Sequence, residues 1–175
     1  MTATGDSPAN RILKVNHAGE HGAVHIYAGQ IFIARLTAPA MLAELREFKA
    51  HEEKHRALFA VALCRRSCKP CRSAFLCAAG GFVLGAFTAL FGRRAIAATT
   101  VAVERVVLRH LQSQLAILKN LDAEAVGVIA AIVEDEQMHH DQSVAHLGQS
   151  TVCSKFLQTM VAGATEMVIW SGMRV

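Results

Sequence analysis

The sequence predicts an all-α protein, namely a four-helix bundle with two additional apolar helices at about residues 73–91 and 151–171. Three observations favour this fold: a duplicated pattern of glutamates and histidines, apolar residues that recur at helical spacing, and two segments almost free of charge. The length of 175 residues predicts one domain over residues 1–175, with residues 1–9 disordered.

The duplicated pattern is a lone glutamate followed, 32 residues later, by a Glu-x-x-His motif, and its two copies lie 84 residues apart. A Glu and a His three residues apart project from the same face of a helix. Four carboxylates and two imidazoles from four helices are the ligand set of a dinuclear iron or manganese site inside a bundle. The predicted metal ligands are Glu20, Glu52, His55, Glu104, Glu136 and His139.

Four helices should carry these ligands. Ser7 followed by Pro8 is a typical helix start, and Asp122 is a suitable N-cap for the last of the four. Apolar residues at helical spacing extend each element. The helices are expected at about residues 8–36, 39–66, 95–119 and 122–148.

The segment at 73–91 contains no charged residue and reaches the threshold length for a membrane-spanning helix. A single crossing would put the two halves of the ligand set on opposite sides of the bilayer, so an interfacial or re-entrant helix is expected instead. The helix at 151–171 is predicted to be either core or a second membrane-facing surface with Trp170 at head-group level.

Charge and composition favour a membrane surface over nucleic acid as a partner. Hydrophobic residues make up 53% of the chain and charged residues 18%, with a mean hydropathy of +0.31. The net charge is +4, but aromatic residues are only 6%, and nucleic-acid binding would need a basic stripe with interleaved aromatics. Basic residues that flank segment 73–91 are expected to meet anionic lipid: Arg65, Arg66, Lys69, Arg72, Arg93 and Arg94.

The first copy of the pattern also contains a second metal-binding motif. Residues 51–55 match the H-E-x-x-H signature of zinc proteases, but the second copy has Asp135 where the first has His51. His51 is therefore interpreted as an extra residue, and Asp135 as an acceptor that orients a ligand histidine. Surface positions are expected for Glu53, Glu134 and His140.

The cysteines and the sole tyrosine raise two further alternatives. Cys64, Cys68 and Cys71 have the C-x3-C-x2-C spacing of some iron–sulfur proteins, but no alternating strands surround them, and a zinc site would lack a fourth ligand. Tyr27 follows Glu20 by two turns, as a radical-forming tyrosine would. A buried hydroxyl that is hydrogen-bonded near the core is the more typical interpretation.

Several strings occur in one order from about residue 11 to the C-terminus. They are NHAGEHGA at 16–23, IYAGQ at 26–30, the Glu52-x-x-His55 motif, FVLGAFTAL at 82–90, VAVE at 101–104 and DEQMHHD at 135–141. This arrangement resembles the demethoxyubiquinone hydroxylase family of ubiquinone biosynthesis. The resemblance implies a ferritin-like di-iron monooxygenase that hydroxylates the ring of a prenylated demethoxy-benzoquinol with O2.

The resemblance also implies cofactors and a second functional residue. Two iron ions, Fe2+ in the reduced form, would bind the six ligands above. Electrons would come from NADH or from the quinol, and the sequence has no G-x-G-x-x-G fingerprint for a dinucleotide that would distinguish the two donors. The family's redox-relevant His-Tyr pair falls on His110 and Leu111, so His110 is expected to have a redox or proton role while the phenol is absent.

The implied partners are a prenylated quinone and the membrane lipid surface, with a homo-oligomer or a biosynthetic complex as further possibilities and no nucleic acid. The expected location is peripheral on the cytoplasmic face of a bacterial inner membrane, or on the matrix side of the mitochondrial inner membrane in a eukaryote. A ferritin-like iron-storage protein without hydroxylase activity is the alternative function, which the long apolar segment fits poorly.

Overall fold

Helices make up the regular structure of residues 7–149 and 151–174, which are the residues that the computed structural model describes. They are α1 (Pro8–Thr37), a 3-10 turn (Pro39–Met41), α2 (Leu42–Arg65), α3 (Ala74–Ala89), α4 (Arg93–Leu118), α5 (Ala123–Ala130), α6 (Val133–Leu147) and α7 (Val152–Gly172). The predicted all-α, ferritin-like bundle with additional helices is confirmed.

The bundle consists of two helix pairs, α1 with α2 and α4 with α6, which carry the predicted ligands. Helix α3 packs on α1, and α7 packs on α4. Along α2, Phe48 belongs to one apolar cluster and Phe59 to another, and both rings are fully buried. Glu52 and His55 lie between them in the sequence. Apolar layers on both sides therefore shield these two side chains from water.

Both predicted N-caps are present. The Ser7 hydroxyl accepts a hydrogen bond from the Asn10 amide at 3.2 Å, and Asp122 accepts one from the Ala125 amide at 3.0 Å. The expected disorder of residues 1–9 is wrong for its last part, because α1 begins at Pro8 and Ala9 is buried in the core. Residues 1–6 lie outside the described residues.

The expectation of one helix over 122–148 is also wrong, since the chain forms α5 and α6 with a break at residues 131 and 132. At the break the Ile132 amide donates to the Ile129 carbonyl, which is a 3-10 type contact. Ile129 and Ile132 are both fully buried in the same cluster. The break lets both side chains reach one core, a tertiary effect that helical periodicity does not encode.

Helices α1 and α3 touch through their backbones. A Cβ added at Gly85 would lie 2.0 Å from the Ile26 carbonyl oxygen, and one at Gly81 would lie 2.4 Å from the Gly22 carbonyl oxygen. Only glycine permits this approach. The charge-free helix α3 therefore lies directly on α1.

Apolar side chains are exposed on both additional helices. Phe75 and Phe87 of α3 are 77% and 56% exposed, and Phe156 and Trp170 of α7 are 67% and 57% exposed. Since Val161 is the one residue of α7 that is buried, the interpretation of this helix as core is wrong. Among the helices of residues 7–149 and 151–174, none has the length and hydropathy needed to span a bilayer.

Candidate metal centre

The six side chains predicted as ligands converge in the middle of the bundle, and all six are buried. Helix α1 brings Glu20, α2 brings Glu52 and His55, α4 brings Glu104, and α6 brings the other two. They form two groups, and within each group one ligand atom per residue lies within 4.8 Å of the others. The groups are Glu20, Glu52, His55 and Glu136, and Glu52, Glu104, Glu136 and His139.

Glu52 and Glu136 belong to both groups, and their contacts follow a pseudo-twofold arrangement. The Nδ1 atom of His55 lies 3.7 Å from Glu52 Oε2 and 3.1 Å from Glu136 Oε1. The Nδ1 atom of His139 lies 3.7 Å from Glu136 Oε2 and 3.2 Å from Glu52 Oε1. Each of these two carboxylates therefore offers one oxygen to each half of the centre, as a bridging ligand does.

The donor atoms of this centre fit a pair of metal ions. Four buried atoms in it have no hydrogen-bond partner: Glu52 Oε1, Glu136 Oε2, His55 Nδ1 and His139 Nδ1. A buried polar atom without a partner costs about 1–3 kcal/mol. Carboxylate oxygens and imidazole nitrogens are ligands for divalent iron or manganese, so two bound cations would satisfy all four atoms at once.

The carboxyl groups carry opposed pKa shifts. Burial raises the pKa of Glu20 and of Glu104 well above the usual range, and neighbouring carboxylates raise both further. Burial also raises the pKa of Glu136, but its contacts with His139 and His55 outweigh this effect and lower it to about 2. The centre thus concentrates negative charge that protons or metal cations must offset.

The imidazoles respond to that charge. Burial alone lowers the pKa of His55 and of His139. The carboxylates of Glu136 and Glu52 outweigh burial and raise the two pKa values to about 10 and about 9. A metal ion must therefore displace protons from both rings before it can bind their Nδ1 atoms.

The outer nitrogens of the two histidines have different partners. His55 Nε2 lies 3.0 Å from Asp135 Oδ2, in line with the role expected for that aspartate. His139 Nε2 lies 3.1 Å from His51 Nδ1. His51 is therefore not an extra residue, because it occupies on one side of the centre the place that Asp135 occupies on the other.

Tyr27 contacts the candidate centre through one of the predicted ligands, Glu104. Its hydroxyl donates to Glu104 Oε1 at 2.9 Å, and the side chain is buried. Burial raises the pKa of this phenol, and the charge of Glu104 raises it further. The sequence favoured a buried, hydrogen-bonded hydroxyl, but only the fold identifies Glu104 as the acceptor.

A cavity of about 560 Å³ leads to the carboxylates from the side of the additional helices. Its walls come from α1, α3, α4 and α7, and its inner end is lined by Glu20, Glu52, Glu104 and Glu136. Apolar side chains dominate the rest of the lining, for example Leu84, Val103, Val107 and Ile169. Leu76 and Met167 line the cavity and are also 72% and 67% exposed, so the cavity opens at the exposed apolar surface.

His110 lies in the wall of this cavity. Its Nε2 atom is 2.8 Å from Glu166 Oε2, and Arg109 pairs with the same carboxylate, whose pKa is lowered by His110. Glu166 was missed by sequence reasoning, although it is the one acidic residue of α7. Leu111 is buried and also lines the cavity.

The remaining predicted positions lie outside the centre. The five cysteines are free, and within residues 7–149 and 151–174 no group suited to a metal ion contains a cysteine or His51. The iron–sulfur and zinc-protease interpretations therefore gain no support. Glu53 and Glu134 are exposed, whereas His140 is partly buried beside Asp141.

Comparison with known proteins identifies the family. Residues 7–172 match the family described as ubiquinone biosynthesis protein COQ7. The chain is 33% identical to a 3-demethoxyubiquinol 3-hydroxylase of Rhodospirillum rubrum, over 97% of this chain and 81% of the relative. A mitochondrial NADPH-dependent 3-demethoxyubiquinone 3-hydroxylase of Dictyostelium discoideum is 33% identical, over 94% and 76%. A 3-demethoxyubiquinol 3-hydroxylase of Paracidovorax citrulli is 34% identical, over 92% and 80%. The chain belongs to the COQ7 family of ubiquinone biosynthesis proteins.

Proposed function

We infer that this protein is a 3-demethoxyubiquinol 3-hydroxylase, a di-iron monooxygenase that hydroxylates the ring of a prenylated demethoxy-benzoquinol with O2. The observation that carries this inference is the apolar cavity of about 560 Å³ that ends on four carboxylates of the candidate centre. An iron-storage protein would have no need for a deep apolar path from an exposed apolar surface to its ligands.

Each half of the centre would hold one iron ion. Glu20 and His55 would bind the first, Glu104 and His139 would bind the second, and Glu52 and Glu136 would contribute to both. The iron pair, when bound, would supply the activation of O2. The protein holds the pair on four helices, and the apolar lining excludes water and positions the quinol ring against the carboxylate side of the centre.

His110 exchanges protons between solvent and the cavity. Its side chain is 32% exposed, lines the cavity and contacts Glu166. A partly exposed imidazole that is held by a carboxylate is suited to passing a proton between solvent and the cavity. Because Leu111 provides no hydroxyl, His110 acts here without a neighbouring phenol.

Reducing equivalents come from a reduced pyridine nucleotide or from the quinol itself. The Dictyostelium relative is named as NADPH-dependent, which makes NADPH the first donor to assay. Anaerobic mixing of the ferric protein with NADPH, and separately with reduced quinol, identifies the donor by the appearance of ferrous iron.

The substrate's prenyl chain reaches the cavity from the lipid. Leu76, Met167 and Val168 lie at the opening and are all exposed, so a lipid-embedded chain can enter without crossing water. The protein therefore works as a peripheral membrane protein, on the cytoplasmic face of the inner membrane in a bacterium.

Isotope labelling tests the reaction. Protein loaded with ferrous iron, supplied with a demethoxyubiquinol, a reductant and ¹⁸O₂, is expected to give a product that contains one labelled oxygen in the new hydroxyl group. Product labelled only from H₂¹⁸O, or no product from protein that holds two iron ions, would overturn the proposal.

A pair of variants ties that reaction to the predicted ligands. Glu136→Ala removes a carboxylate shared by both groups and should abolish hydroxylation together with the binding of the iron pair. Glu53→Ala changes an exposed neighbour of the motif and should leave both unchanged. Full activity with two iron ions in Glu136→Ala would sink the ligand assignment.

A further inference from the structure

We propose that the two metal positions are inequivalent, and that the position of Glu104 and His139 binds its ion more weakly than the position of Glu20 and His55. This inference rests on the proposed di-metal function. It follows from two places where the side chains around the centre depart from the 84-residue duplication.

The first departure concerns the residues that contact the Nε2 atoms of His55 and His139. His51 and Asp135 occupy equivalent places, 84 residues apart, and each contacts the Nε2 atom of a ligand histidine. The Nδ1 atoms face the carboxylates, so with a metal ion bound at each Nδ1 atom the ring proton lies on Nε2, which then donates it. His55 then donates to a carboxylate and His139 to an imidazole nitrogen, and a carboxylate acceptor makes a ligand imidazole the stronger base.

The second departure is beside the lone glutamates. Tyr27 of the first copy donates its hydroxyl to Glu104 of the second. The residue 84 positions after Tyr27 is Leu111, which lines the same cavity as Glu20 and has no hydroxyl to donate. Glu104 is therefore hydrogen-bonded to a phenol, whereas no hydroxyl group among residues 7–149 and 151–174 donates to Glu20.

Both departures act in the same direction and at the same position. Glu104 and His139 are the weaker donors of their kinds, whereas Glu20 and His55 are the stronger ones. Glu52 and Glu136 contribute to both positions with matching distances, so they do not offset the difference. The first metal ion is expected to occupy the position of Glu20 and His55.

Anaerobic titration with Co²⁺, followed by absorbance, measures the two binding steps without reference to activity. Wild-type protein should bind two ions in two steps. His51→Asp and Tyr27→Phe should each tighten the second step, His51→Asp by about tenfold. Asp135→His should weaken the first step by about 10–100-fold, and Leu111→Tyr should weaken the same step.

The location of the first ion provides a separate readout. Anomalous scattering from crystals loaded with one equivalent of Mn²⁺ should place that ion beside Glu20 and His55. An ion beside Glu104 and His139, or equal occupancy of the two positions, would overturn the inference.

Mutual repulsion of two cations also separates the binding steps, but it is the same in every variant. If His51→Asp leaves the second step unchanged and Asp135→His leaves the first step unchanged, the inference fails while the di-metal function stands. If wild-type protein binds fewer than two ions, the proposed function itself fails. Circular dichroism of each variant identifies those that do not fold. The Tyr27→Phe variant removes only one oxygen atom, so it can test the inference even if the other variants are unfolded.

Discussion

At the scale of single residues, the candidate centre brings together buried groups whose pKa values are shifted. Glu20 and Glu104 have raised pKa values, chiefly because they are buried. His55 and His139 have pKa values raised to about 10 and about 9 by the carboxylates around them. Both imidazoles therefore hold protons at neutral pH when no metal ion is bound, and burial favours the protonated form of both carboxyl groups.

Metal binding should release these protons, and affinity should fall on acidification. As the pH falls, a larger fraction of these groups is protonated in the metal-free protein. The metal ion must then displace more protons, which lowers its affinity. A weakly buffered solution with an indicator dye should turn acidic when Fe²⁺ is added anaerobically. Affinity that stays constant as the pH is lowered would contradict the expected linkage, and the Glu136→Ala variant serves as the control for adventitious binding.

At the scale of helices, the contact of α1 with α3 sets the position of the apolar helix. Gly85 lies against the Ile26 carbonyl, whereas a Cβ at Gly80 of the same helix would meet nothing within 4 Å. The two glycines are therefore a matched pair for substitution.

Gly85→Ala should lower the free energy of unfolding by about 1–3 kcal/mol or more, because backbone atoms of α1 cannot move away from an added methyl group cheaply. Gly80→Ala should raise it by up to about 1 kcal/mol, since alanine is the better helix former. Thermal unfolding measured by circular dichroism checks both changes. Equal effects of the two substitutions would show that the close crossing is not needed for stability.

A second connection between elements joins α2 to the start of α5. Arg66 donates to both oxygens of Asp122 at 2.6 and 2.7 Å. Its guanidinium lowers the pKa of that carboxyl from 3.8 to about 2. Arg66 is thereby engaged within the bundle and is not free for lipid, which corrects its inclusion in the lipid-binding set.

The sign of this shift predicts how stability depends on pH. A depressed carboxyl pKa stabilises the fold above pH 3.8, and the contribution is lost as the pH falls through about 2. Asp122→Asn keeps a side chain suited to the N-cap but removes the charge. It should therefore lower the free energy of unfolding at neutral pH and have a smaller effect near pH 2, where the carboxyl of the wild type is itself losing its charge. Acid unfolding of Asp122→Asn, compared with Glu47→Gln at an exposed position, tests this; identical curves for the two variants would refute it.

At the scale of the whole molecule, exposed apolar side chains of α3 and α7 surround the opening of the cavity. Exposed basic residues adjoin them, namely Arg65, Lys69, Arg72, Arg93 and Arg94. A surface of this kind favours binding to an anionic bilayer.

Flotation with lipid vesicles checks this surface. Binding should rise when phosphatidylglycerol is added to phosphatidylcholine vesicles, and Phe87→Glu should weaken it by at least about tenfold, since burying one such ring contributes about 1.5–3 kcal/mol. Leu121→Glu changes a residue that is 72% exposed in the turn between α4 and α5, and should bind like the wild type. Equal loss in both variants would argue against a surface formed by α3.

Much of the centre was predictable because it depends on local spacing. The i, i+3 geometry of Glu52 with His55, and its repetition 84 residues later, place the candidate ligands on helix faces before any tertiary structure is known. The caps at Ser7 and Asp122 are local for the same reason. The break at residues 131 and 132 was missed because packing of Ile129 and Ile132 in one cluster, not propensity, decides it.

The sequence by itself determined most of the helices, the six converging side chains and their arrangement as two related halves, because helical periodicity and duplication are properties of the chain alone. Only the tertiary structure decided what surrounds them. The contacts of His51 with His139 and of Tyr27 with Glu104 join residues 88 and 77 positions apart. The cavity likewise requires four helices to meet. Such contacts depend on how helices pack across the bundle, and no periodicity within a single helix contains that information.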